Sequence, residues 1–83
     1  MSRESYRLHL ESLTDRELCA ESRRAIDLDL DRSVEERDRR VNDLPSTACW
    51  FECVRRRMPE LWRDALASVK AERAAQYAKR GTT

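Results

Sequence analysis

The apolar residues of this 83-residue chain recur at intervals of three and four, the period of an amphipathic α-helix. The first apolar face is Tyr6, Leu10 and Leu13, and Ser2 is placed to cap that helix. A second stripe comprises Leu18, Cys19, Ser22, Ile26 and Leu30. The last stripe comprises Trp62, Ala65, Leu66, Val69 and Tyr77. Gly81 then gives a stop signal just past the last turn. The pattern predicts an all-α fold, a small bundle of four to five helices.

Two capping boxes mark helix starts in the middle of the chain. Thr14 with Glu17 opens one helix, and Ser33 with Glu36 predicts a second start, so the chain bends near residues 31–33. The alternative is one long central helix over residues 14–43. An apolar stripe fits both alternatives; it comprises Ile26, Leu30, Val34, Val41 and Leu44.

Proline sets the later boundaries. The residue before Pro45 leaves the α region, which ends the central element. Ser46 or Thr47 then caps a short helix that runs through Arg57, and Pro59 suits the first position of the last helix.

Residues 26–31 alternate strictly between apolar residues and Asp, which is the period of a strand. No second strand is visible to pair with them, so we expect a helix or a helix end. On a helix, Leu28 lies opposite Ile26 and Leu30. It is either an ordinary exposed leucine or a second contact face for a partner or a second copy of the chain.

Composition indicates one folded domain with a thin core. Leu, Ile, Val and Phe make up 18% of residues 1–83, while the net charge is only +1. Residues 1–44 form an acidic helical half with a net charge of −3, and residues 45–83 form a basic half of +4 that contains most of the aromatic residues. A core this small favours assembly with another protein or a second copy. The chain has no apolar run for a membrane span and no secretory signal, which predicts a cytoplasmic protein.

Catalytic motifs are missing from the sequence. It contains one His and one Gly, and it lacks GxGxxG, P-loop, HExxH and CxxC patterns. We therefore expect a non-enzymatic protein without a cofactor.

The cysteines admit several interpretations. Cys49 and Cys53 share a helix face, and with Cys19 and His9 they match the ligand count of a Cys3His zinc site. Their spacing is no known zinc pattern, so packing of free cysteines at a helix interface is the favoured interpretation. A redox role or an intermolecular disulfide is a further alternative.

Aromatic and arginine side chains are concentrated in one segment of the basic half. The set comprises Trp50, Phe51, Arg55, Arg56, Arg57, Trp62 and Arg63. The aromatic residues either form a core with a solvated arginine rim or, as this composition is typical of protein hot spots, a partner-binding surface. Nucleic-acid binding by Arg55, Arg56 and Arg57 is the competing hypothesis.

An acidic run precedes that segment, comprising Asp27, Asp29, Asp31, Glu35, Glu36 and Asp38. Arginines are interleaved with these carboxylates, which favours a solvated, ion-paired helix face over a mimic of nucleic-acid phosphates.

The stretch from Leu13 to Leu18, with residues 44–47 and Trp50 downstream, resembles the Hha/YmoA family of nucleoid modulators. The resemblance covers less than half of the chain, the intervening spacing differs, and no function is carried across from it. The sequence predicts a helical interaction module that docks on another protein as a regulator or inhibitor, of the kind found in phages and mobile elements. A nucleic-acid-binding or nucleoid-associated regulator is the alternative.

Overall fold

The computed structural model describes residues 3–81, which form five helices and no strand. The helices are α1 (Arg3–Glu11), α2 (Asp15–Leu30), α3 (Val34–Arg39), α4 (Pro45–Arg55) and α5 (Pro59–Gly81). Helix α2 lies against both α4 and α5, and α4 also contacts α1 and α5. This confirms the predicted all-α bundle of four to five helices. The cap predicted at Ser2 lies outside the described residues.

The bend between α2 and α3 is present, so the alternative of one long central helix is wrong. The Thr14 hydroxyl accepts from the Glu17 amide at 3.1 Å, and the Glu17 carboxylate accepts from the Thr14 amide at 2.8 Å. Ser33 caps α3 by accepting from the Glu36 amide at 3.1 Å. Val34 and Val41 were expected on the apolar stripe, but they are 63% and 52% exposed because the chain turns away from the core after α2.

A carboxylate from α2 caps α4 across the fold. Helix α4 begins at Pro45, so the prediction that Ser46 or Thr47 caps it is wrong. The Ser46 amide instead donates to Asp29 Oδ2 at 2.9 Å, while Arg32 Nε donates to Asp29 Oδ1 at 3.1 Å. The sequence places Asp29 on a solvated helix face together with the rest of the acidic run. That prediction is wrong for Asp29, because its side chain is only 3% exposed.

Helix α4 ends two residues before the predicted position, in a left-handed turn. Arg57 has a φ of 59°. The Met58 amide donates to the Cys53 carbonyl at 2.8 Å, and the Arg57 amide donates to the Val54 carbonyl at 2.9 Å. These two bonds form a Schellman motif, in which glycine normally occupies the left-handed position.

The core consists of two neighbouring clusters. The first comprises Leu10, Leu18, Ala25, Cys49 and Cys53. The second comprises Ile26, Ala65 and Val69. Trp62 packs against both clusters and so connects the α4 side of the core with the α5 side.

Helix α5 extends beyond this core. Its 23 residues span about 34 Å at 1.5 Å per residue. Residues 74–80 are all exposed, and Tyr77, predicted on the apolar face, is 81% exposed because that part of the helix extends past the buried cluster of Ile26, Ala65 and Val69. Gly81 lies within α5 rather than just past it. None of the helices between residues 3 and 81 combines the length and apolar character needed to cross a membrane.

Candidate functional site

One side of α4 faces the core and the other faces solvent. Cys49, Glu52 and Cys53 are buried on the inner side. On the other side Phe51 is 60% exposed and Val54 is 44% exposed. We call the set Trp50, Phe51, Val54 and Arg55 the outer face of α4.

Sequence reasoning missed Val54, although its spacing could have revealed it. Val54 lies three residues after Phe51 and four after Trp50, so the three side chains are neighbours on one helical surface. Two exposed apolar residues next to a half-buried tryptophan form a small continuous apolar patch.

Trp50 is fixed in position by residues of α5. Its ring meets the Trp62 ring edge-on with centroids 5.4 Å apart, and the Arg63 guanidinium lies 5.8 Å from the Trp50 centroid. Trp62 itself is turned inward and donates from Nε1 to the Ser46 carbonyl at 3.0 Å. Arg63 therefore continues the outer face onto α5, whereas Trp62 supports it from below.

Arg56 does not share this face. Its Nε donates to Glu52 at 2.6 Å, and its Nη1 donates to Asp15 at 2.9 Å. Its Nη2 donates to the carbonyls of Leu10 and Leu13 at 2.9 and 2.7 Å. With 13% of its side chain exposed, Arg56 joins α4 to the end of α1 through four of its five N–H donors.

Arg55 points outward but is held by a buried carboxylate. Its Nε and Nη2 donate to the two oxygens of Glu52 at 2.9 and 2.6 Å. The guanidinium groups of Arg55 and Arg56 hold the pKa of Glu52 below its usual range. Arg57 is exposed in the turn after the helix.

A groove of about 470 Å³ runs between α1 and α4 and meets the outer face at Phe51 and Arg55. The two helices lie parallel, because Arg3 pairs with Asp43 at 2.8 Å at one end and Arg56 reaches Leu10 at the other. Apolar and aromatic groups lining the groove come from Tyr6, Leu44, Pro45, Ala48 and Phe51. Charged groups of both signs line it as well, with cations from Arg3, Arg7 and Arg55 and carboxylates from Glu11, Asp43 and Glu52.

The four residues that match the ligand count of a zinc site, the less favoured interpretation, lie in different parts of the structure. Cys49 and Cys53 fill the core, Cys19 is half-buried, and His9 is exposed. Burial raises the pKa of the Cys49 thiol to about 11 and also raises that of Cys53, so both are protonated at neutral pH. Across residues 3–81 no group of three or more His, Cys, Asp and Glu side chains is placed to hold a metal ion.

A partly buried hydrogen bond lies beside Cys49. The Tyr6 hydroxyl donates to Glu21 Oε2 at 2.6 Å and lies 3.6 Å from Cys49 Sγ. Burial raises the pKa of Tyr6, so it remains a neutral donor, while Arg24 and Tyr6 lower the pKa of Glu21. This arrangement fastens α1 to α2 and offers no thiolate nucleophile.

The fold and the site together define a small all-α bundle with an apolar, arginine-flanked helix face. No protein-family model, curated protein or solved structure shows a significant match to this chain.

Proposed function

We propose that this chain is a small non-enzymatic interaction module that docks on a partner protein through the outer face of α4 and thereby regulates or inhibits that partner. The observation that carries the proposal is the joint exposure of Phe51 and Val54 beside the fixed ring of Trp50. Exposed apolar groups that lie next to one another on one helix are typical of docking surfaces.

The helix that carries the outer face is anchored in the core. The same helix buries Cys49 and Cys53 completely, and Trp50 is held by the ring of Trp62. A preorganised surface loses little conformational entropy on binding. An aromatic anchor in such a surface contributes about 2 kcal/mol or more to binding when it acts as a hot spot.

Charge distribution favours a protein partner over a nucleic acid. Two of the three consecutive arginines are matched by carboxylates, since Arg55 and Arg56 share Glu52 and Arg56 also meets Asp15. Arg57 is therefore the member of these three arginines that remains to bind nucleic-acid phosphates. A domain that binds phosphates usually presents a stronger basic surface, and the pI of this chain is near 7.7.

The proposal is tested by comparative affinity capture. The full chain, the Phe51→Ala/Val54→Ser variant and the matched Val34→Ser control are each immobilised and exposed to lysate of the source cells. Val34 suits the control because it is also an exposed valine, on α3 instead of α4. We expect a protein retained by the wild type and the control and lost by the double variant.

Two other results would count against the proposal. Retention unchanged in the double variant but lost in Leu28→Ser would place docking on α2, where Leu28 is 46% exposed. Retention of nucleic acid that falls steeply with salt, and that disappears in the Arg55→Ala/Arg57→Ala variant, would establish the nucleic-acid alternative.

A further inference from the structure

Charges of both signs line the α1–α4 groove, so it favours neither a strongly acidic nor a strongly basic partner. The charged residues of its lining are Arg3, Arg7, Glu11, Asp43, Glu52 and Arg55. Two ion pairs already exist among them, since Arg3 meets Asp43 at 2.8 Å and Arg55 meets Glu52 at 2.6 Å. The two groups that remain have opposite charges, and an occupant that matches them carries one charge of each sign.

Arg7 and Glu11 are these two groups. They lie one helical turn apart on the groove side of α1, and both are exposed. Among residues 3–81, neither has an oppositely charged group within ion-pair distance. The charge of Glu11 does act on Arg55, but the hydrogen bonds of that guanidinium go to Glu52.

An opposite pair at this spacing is complementary to itself. When a second α1 runs antiparallel to the first, Arg7 of each copy faces Glu11 of the other copy, so the same ion pair forms twice. This reciprocity is the property of an interface around a two-fold axis. In a parallel arrangement of the two helices each charge would instead face its own kind.

The antiparallel arrangement also brings Phe51 of the two copies together. Helices α1 and α4 lie side by side, and Tyr6 is level with Cys49 because Tyr6 Oη lies 3.6 Å from Cys49 Sγ. At the same offset of 43 residues, the midpoint between Arg7 and Glu11 is level with a point one residue past Phe51. A two-fold axis at that level places the two Phe51 rings, each 60% exposed in the single chain, at the centre of the interface.

We propose that a second copy of this chain occupies the α1–α4 groove, face to face with the first and with the two α1 helices antiparallel. Apolar contact at Phe51 forms the centre of the dimer, and the two Arg7–Glu11 ion pairs flank it. Chains of this size often gain stability by association, because their cores are small. A contact between helices of 9 and 11 residues is also small, so the dimer is weak and depends on concentration.

Dimerisation and partner docking exclude each other, because both cover Phe51. This consequence rests on the proposed function, whereas the dimer itself does not. The dimer keeps the outer face of α4 covered at Phe51 until dilution or a competing partner separates the two copies.

The test is sedimentation equilibrium of the full chain from about 10 μM to about 1 mM, the range suited to a small interface. We expect the wild type to dimerise, and Arg7→Glu and Glu11→Arg each to raise the dissociation constant about tenfold or more by opposing like charges. Phe51→Ala should have a similar effect. Arg23→Glu, a charge reversal at an exposed position of α2 outside the groove, should leave the dimer unchanged.

Two rescue experiments identify the pair of residues that meet. An equimolar mixture of the Arg7→Glu and Glu11→Arg variants should form a heterodimer, because one copy then carries two carboxylates and the other two guanidinium groups. The double variant Arg7→Glu/Glu11→Arg should dimerise about as tightly as the wild type. Either rescue also shows that the single variants still fold.

Three outcomes would overturn the dimer: a wild type that stays monomeric up to about 1 mM, single variants that dimerise as the wild type does, or variants that fail to pair when mixed. Capture of a partner by Arg7→Glu separates this inference from the proposed function, since Arg7 lies outside the outer face of α4. A monomeric wild type whose capture depends on Phe51 would overturn only the dimer. A dimer whose capture does not depend on Phe51 would overturn only docking by the outer face.

Discussion

Replacing Arg56 with alanine should destabilise the chain far more than replacing its neighbour Arg57. Arg56 donates four hydrogen bonds, two to carboxylates and two to the carbonyls that close the end of α1. Arg57 is exposed in the following turn. Two adjacent arginines thus have opposite roles, and a pair of substitutions distinguishes them.

The size of the effect follows from what the truncation leaves behind. Breaking a buried ion pair costs about 3–5 kcal/mol, because the remaining charge is left without its partner. Glu52 keeps Arg55, and Asp15 has 58% of its side chain exposed, so the lower end of that range applies. We expect a loss of about 3 kcal/mol from a total of roughly 4–12 kcal/mol for a chain of 83 residues.

Urea unfolding followed by far-UV circular dichroism measures this loss directly. In a separate thermal unfolding experiment, a loss of this size should lower the melting temperature by roughly 12–24 °C. Arg56→Lys should recover less than half, because an ammonium group lacks the planar fork that reaches three directions at once. Arg57→Ala should stay within about 0.5 kcal/mol of the wild type. If the free energy of unfolding of Arg56→Ala lay within about 1 kcal/mol of the wild-type value, the conclusion that Arg56 holds α4 against the end of α1 would be refuted.

Three further predictions concern other parts of the fold. Arg57→Gly should raise the free energy of unfolding by about 0.5–1 kcal/mol, because glycine occupies the left-handed region without steric cost; an unchanged urea midpoint would contradict this. Asp29→Ala should lower it by about 1–3 kcal/mol, since the Ser46 amide loses its acceptor, whereas Asp29→Asn retains an acceptor oxygen and should lose less. The pKa values of Glu52 and Glu21 lie below their ordinary value of 4.5 in the folded chain, so their contribution to stability is present above that pH and is lost as the pH falls through the lower folded values. Urea midpoints should therefore decrease below about pH 4.5, and Glu52→Gln should weaken that dependence; midpoints that stay level down to about pH 3 would rule it out.

Helix starts marked by neighbouring residues could be predicted from the sequence. Thr14 and Glu17 form their capping box within one turn, and Pro59 begins α5. Such signals depend on four residues or fewer, so they are visible without knowledge of the tertiary fold. For the same reason the all-α class and the apolar faces of α1 and α2 could be predicted.

Features that depend on distant contacts could not be predicted in this way. The cap of α4 comes from Asp29, 17 residues before the amide that it accepts from. The inward role of Arg56 depends on carbonyls of Leu10 and Leu13, which lie 46 and 43 residues earlier. Trp50, Trp62 and Arg63 contact one another, but which arginines of the aromatic segment face solvent depends on where α1 lies.

The projecting part of α5 has a consequence for how the molecule unfolds. Val69 is 3% exposed in the core, whereas every residue from 74 to 80 is exposed. The end of the helix buries no side chain in the core, and the high helix propensity of its alanines favours the helical state there. A helical segment that buries little apolar surface opens at lower free energy than the core. Amide hydrogens beyond Ala74 should exchange orders of magnitude faster than those near Val69, and helicity should decline gradually on warming before the cooperative transition. One continuous helix therefore behaves as two thermodynamic units.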